Sequence, residues 1–126
     1  MAPNDVTNAT PTPRTPIGAL GQALTLVFQA ITFARQGLEN NPSPEEEREL
    51  SDTIHDLELQ RGAIEAKMDA LIAKKPGVTG PTPTQVAQVS ALIGQVGAQT
   101  NASVTASAAV ALTSRALALT AQIAAG

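Results

Sequence analysis

The chain has no cysteine, no tryptophan and no tyrosine, and its aromatic content is two phenylalanines, Phe28 and Phe33, in 126 residues. Without cysteine there is no disulfide framework, no thiolate metal site and no thiol nucleophile. With so few aromatic rings there is no platform on which nucleic-acid bases would stack. Histidine occurs once, as His55. Basic runs are also lacking, and the formal net charge is −3. A phosphate-backbone partner is therefore not expected. The N-terminus, Met1-Ala2-Pro3-Asn4-Asp5, has no basic segment followed by an apolar core. The expectation is synthesis in the cytoplasm without a secretory signal, with non-classical secretion or incorporation into a particle left open.

Charge is scarce over most of the chain and crowded into one part. Residues 43–75 hold most of the Asp, Glu, Lys and Arg side chains; from Pro76 to Gly126 there is Arg115 alone, and between Arg14 and Arg35 there is none. Alanine, leucine, isoleucine and valine fill the gaps, a composition that favours helices in close contact through small residues.

What is present reads as all-α. Thr15-Pro16, Ser43-Pro44 and Thr82-Pro83 each place a hydroxyl at a helix N-cap and proline at the first helical position. The hydroxyl accepts from a free backbone N–H, and proline loses nothing where no partner exists for its missing N–H. Glu46 and Gln85 complete capping boxes behind Ser43 and Thr82. Before these, residues 1–14 read as an extended Thr/Pro-rich arm, leaving 15–126 as a single helical domain with helices over about 16–40, 44–75 and 83–124.

The first helix is apolar most of the way round, with a narrow neutral stripe at Gln22, Thr25, Gln29, Thr32 and Gln36. Such a helix is buried on several sides or sits in lipid. The second carries a heptad ladder of Leu50, Ile54, Leu57, Ile64, Met68 and Leu71, with Arg61 where an apolar rung is due. That is the seam of a helix lying along a partner, as in a coiled coil. The link around Asn41-Pro42 is short enough to make the first two helices an antiparallel hairpin. The third stretch would be about 60 Å long as one helix, against about 45 Å for the second. A continuous or gently kinked helix is favoured there, giving a helical hairpin plus a long third helix in a three-helix bundle. A break near 97–101 would make a four-helix bundle instead.

No constellation announces chemistry. Asp52 and His55 form an acidic-x-x-His pair, but di-metal bundles need a second copy and more carboxylates from other helices. Glu46, Glu49, Asp52 and Asp56 read as a solvated acidic face. No phosphate-cradling glycine loop and no activated serine motif occurs. Catalytic residues, metal, cofactor and small-molecule substrate are thus not expected.

The functional expectation is a non-enzymatic structural protein that self-associates through its neutral helices into a filament, tube, shell or other homo-oligomer. Candidate interface positions are Leu26, Phe28 and Phe33 on the first helix, Arg61 as a polar register device, and the small-residue row Gly94, Ala98, Ala102 and Ala106. Two alternatives accompany it. A membrane-active or lipid-surface protein would use the uncharged run of residues 15–34, long enough to cross a bilayer core. A small helical adaptor or inhibitor would offer a groove to a partner helix.

Overall fold

The computed structural model describes residues 15–99 and 104–125. They form four α-helices and no strand: α1 (Pro16–Leu38), α2 (Pro44–Ile72), α3 (Pro83–Gln99) and α4 (Ala106–Ala125). The fold is all-α, a helical bundle.

The three proline-marked starts form as their residue types dictate. Thr15 Oγ1 accepts from Gly18 N at 2.9 Å. At α2 the Ser43 hydroxyl accepts from Glu46 N at 3.1 Å while Ser43 N donates to Glu46 Oε1 at 2.9 Å. Thr82 and Gln85 repeat that reciprocal pair at 2.9 and 3.1 Å. The α2 end carries a six-to-one bond from Lys75 N to Ala70 O and a bond from Lys74 N to Leu71 O, with Lys74 itself in the left-handed region at φ 57°. This is a Schellman closure made without glycine.

The favoured continuous third helix is not what forms; the four-helix alternative is. Helix α3 ends at Gln99, and α4 starts afresh behind Thr105, whose hydroxyl accepts from Ala108 N at 3.0 Å. The reason is length. Helix α1 has 23 residues, about 35 Å, so a single helix over the whole third stretch would overhang it and leave its apolar side chains in water. Doubling back buries Ala109, Leu112, Ala116, Leu119 and Ile123 of α4 instead.

Helix α1 is the centre of the bundle. It packs against α2, α4 and α3, while α2 and α3 do not touch each other. Of the two environments expected for so apolar a helix, α1 takes burial on several sides. Leu20, Ala23, Leu26, Val27, Ala30, Phe33 and Ala34 are all fully buried among three neighbours of the same chain. The direction of each helix follows from its contacts. Asn40 Nδ2 donates to Val104 O beside the α1–α2 turn, and Lys67 Nζ donates to Ile123 O at the other end, 2.8 Å away. Helix α4 thus runs alongside α2 in the same sense, antiparallel to α1. Helix α3 starts where Gly80 meets Pro16 and ends where Val96 and Gly97 lie by Phe28 and Thr32. It runs parallel to α1 and is held by a short apolar row, Val89, Leu92 and Val96.

The heptad seam of α2 faces this core. Leu50, Leu57 and Ile64 are buried, and Ile54, Met68 and Leu71 are partly buried. A second, polar row runs beside it at the same period: Thr53 and Lys67 are buried and Gln60 is half-buried. On α4, Thr113 and Thr120 are fully buried and satisfy their hydroxyls by donating to Ala109 O and Ala116 O at 2.6 and 2.9 Å. Such back-bonding lets threonine occupy an apolar site without an orphaned donor.

Candidate interaction surface

Helices α3 and α4 form an open groove on the outside of the bundle. Gln88, Ala91, Leu92 and Gln95 line one wall, and Arg115, Ala118, Leu119 and Gln122 the other, enclosing about 310 Å³. Its apolar floor comes from Leu92 and Leu119, which also reach the core, while Ala91 and Ala118 keep it open because they project only a methyl group. Glutamine amides and one guanidinium form its edges. The flanks add no charge of their own: Ala87, Gly94 and Ala98 of α3 and Ala111 and Ser114 of α4 are exposed. This surface carries the sequence's imbalance into three dimensions, since Arg115 is its one charged side chain.

The candidate interface positions divide. Gly94 and Ala98 lie exposed on α3, and Arg61 is exposed on α2. Phe28 is 49% exposed, on the strip of α1 left open between its neighbours. Leu26 and Phe33, by contrast, have no exposure, and Ala106 is buried. These three are corrected from surface to core: they close the chain's own bundle and present nothing outward. Ala102, like residues 1–14, lies outside the described residues. Arg61 does not stand in the seam, because Gln60, one residue earlier, takes the inner position.

The polar candidates on α2 also divide. Asp52, His55 and Asp56 are exposed. Among the described residues no group of three or more His, Asp or Glu side chains is arranged to hold a metal ion. Glu45, Glu46 and Glu49 line an open depression of about 420 Å³ with Ser43, Ser107 and Val110, and one oxygen of Glu46 is engaged in the cap. Arg35 and Glu58 approach to 3.8 Å with both side chains well exposed, a pairing worth under about 1 kcal/mol.

Sequence reasoning passed over two features of α2. The first is its outer face beyond Asp56. Leu59, Gly62, Ala63 and Ala66 are exposed there in one row, with Leu59 at 60% exposure. The second half of this charged helix therefore shows solvent an uncharged strip. A helical wheel drawn opposite the seam contains that signal. The second feature is Lys67, only 8% exposed, whose burial holds its pKa below the usual 10.5. Its ammonium stem lies in the bundle while Nζ reaches a carbonyl at the end of α4, the negative pole of that helix.

Lys67 gives the fold a pH dependence of definite sign. The folded chain releases this proton at lower pH than the unfolded chain. Between those two values the unfolded state holds more protons, so stability rises with pH. Urea unfolding from neutral pH up to 10.5 should show wild type gaining stability relative to Lys67→Met. Parallel profiles for the two chains would remove burial of the charge as the cause.

No protein-family model, no curated protein and no solved structure matches this chain.

Proposed function

We propose that the protein is a non-enzymatic structural subunit that associates with copies of itself through the outward face of α3 and α4. The observation that carries this reading is the groove between those helices, with its surroundings, on which Arg115 is the one charged residue. Bringing such a surface against another costs little desolvation of charge and meets little repulsion. Alanine, glycine and serine let a neighbouring helix approach closely, and the amides of Gln88, Gln95 and Gln122 supply hydrogen bonds at the edges. The charged first half of α2 borders α4 at Ser107 and Val110, away from the groove residues, and keeps assemblies soluble. Most of the apolar surface of α1 is covered by the chain itself and contributes little to association.

The test is size-exclusion chromatography with light scattering on the purified chain. Particles larger than a monomer, growing with concentration, are expected. Ala91→Lys and Ala118→Lys, which place charge in the groove, should each shift the population to monomer while helix content is unchanged.

A membrane-active role is the second reading, supported by one observation. Helices α1 and α4 are each long and apolar enough to cross a bilayer, and they pack against each other. Core helices of a water-soluble bundle have the same composition, and half of the apolar window of α1 is buried within the fold. Flotation with liposomes separates the two readings: a structural subunit stays with the protein fraction, and a membrane-active one rises with lipid.

A further inference from the structure

We infer that the uncharged outer row of α2, built on Leu59, Gly62, Ala63 and Ala66, is the face that enters the α3–α4 groove of a second copy, joining copies head to tail. This rests on the self-association proposed above and names its two surfaces.

Placement is the first argument. Helix α2 touches α1 and α4, α3 touches α1 and α4, and α2 and α3 do not touch. They occupy opposite corners of the bundle, so the α2 row and the groove cannot meet within one molecule. A contact between two different patches on opposite sides is heterologous. Repeated without a closing rotation, it generates a chain of subunits.

Shape and register are the second argument. Leu59 projects as a single apolar knob at 60% exposure. A methyl group added at Gly62 would meet nothing within 4 Å, so the backbone there is bare and open to a neighbour. Helices α2 and α4 run in the same sense, with the Lys67 ammonium reaching the Ile123 carbonyl near their shared ends. Displacing a copy sideways without turning it brings the row from Leu59 to Ala66 alongside the segment of α4 from Arg115 to Gln122. The small residues of the row then meet the small residue of the groove wall, and the knob falls beside the long side chains at one end.

Charge is the third argument. Arg115 is the one charge in the groove, and α2 presents an exposed carboxylate, Asp56, one turn before Leu59. In the displaced copy that carboxylate lies toward the Arg115 end of the groove. A contact of groove to groove would instead bring Arg115 toward its own copy.

The absence of native cysteine allows a direct test. The double variant Gly62→Cys with Ala118→Cys, oxidised at assembling concentration, is expected to give a ladder of disulfide-linked species. Each single variant places its cysteine opposite no second cysteine in this contact and should give no ladder. A mixing experiment then tests polarity. Leu59→Lys keeps its groove and Ala118→Lys keeps its α2 row, so each alone is expected to be monomeric by light scattering. Their mixture should form a one-to-one dimer and go no further. If the wild-type chain assembles but the ladder and the mixed dimer fail to form, this inference is overturned and self-association through another surface stands. If the wild-type chain does not assemble at any concentration, both are overturned.

Discussion

Phe33→Ala is expected to destabilise the fold by about 3–5 kcal/mol, the range for removing a buried aromatic side chain. Phe33 has no exposure and is the largest fully buried side chain. The core on α1 and α4 is rich in alanine, including Ala30, Ala34, Ala109 and Ala116, all fully buried. Alanine has no rotamer with which to fill a void, and the helix backbones are already close, so the cavity would remain. Against the roughly 5–15 kcal/mol that hold a domain together, the loss is a large fraction of the total. Phe28→Ala provides the contrast. Its ring is half in water, and its removal should cost about 1 kcal/mol or less. Chemical denaturation followed by circular dichroism measures both. Equal losses at the two positions would mean that Phe33 is not the centre of the core.

Gly37→Ala comes second, with an expected loss of about 1–3 kcal/mol in spite of the better helix former. Outside a contact, that exchange in a helix interior gains up to about 1 kcal/mol. At position 37, however, the new methyl carbon would stand 2.5 Å from Ala109 Cβ and 3.2 Å from Leu50 Cδ1. The tip of Leu50 can turn aside. The Ala109 methyl is fixed to the backbone of α4, so the whole helix would have to move outward. Two companions test this cause. Ala109→Gly in the Gly37→Ala background should recover part of the loss. Gly94→Ala, at a place where an added methyl meets nothing within 4 Å, should instead stabilise the chain. A loss at Gly94 equal to that at Gly37 would contradict close approach as the explanation.

Local features were the most readable in the amino-acid sequence. Hydroxyl-proline pairs at Thr15, Ser43 and Thr82 act within one turn of the backbone, and each starts a helix as residue type alone requires. The seam of α2 was readable too, because a seven-residue period repeats over the length of the helix. Features set by the other helices were not. Whether Leu26 and Phe33 face a partner or their own core depends on how many neighbours surround α1, and an apolar residue does not carry that number. The start of α4 at Thr105 lacks the proline and the acidic or amide residue that marked the α2 and α3 starts. What forces it is the length of α1, a property of a distant segment. On α2 the contrast between Gln60, turned partly inward, and Arg61, turned out, is set by the helices that pack against α2. The groove between α3 and α4 was legible as a neutral surface, though its shape arises only once the third stretch doubles back. The facing row on α2 was hidden by the charges around it.

The central claim is that copies of this chain join through surfaces nearly free of charge. Sedimentation velocity on the unmodified protein, across a wide range of concentration and at both low and high salt, tests it most directly. The account predicts species heavier than a monomer that grow with concentration and persist or strengthen as salt rises, since small-residue and amide contacts do not depend on ionic attraction. A single monomeric boundary at every concentration and salt would contradict it.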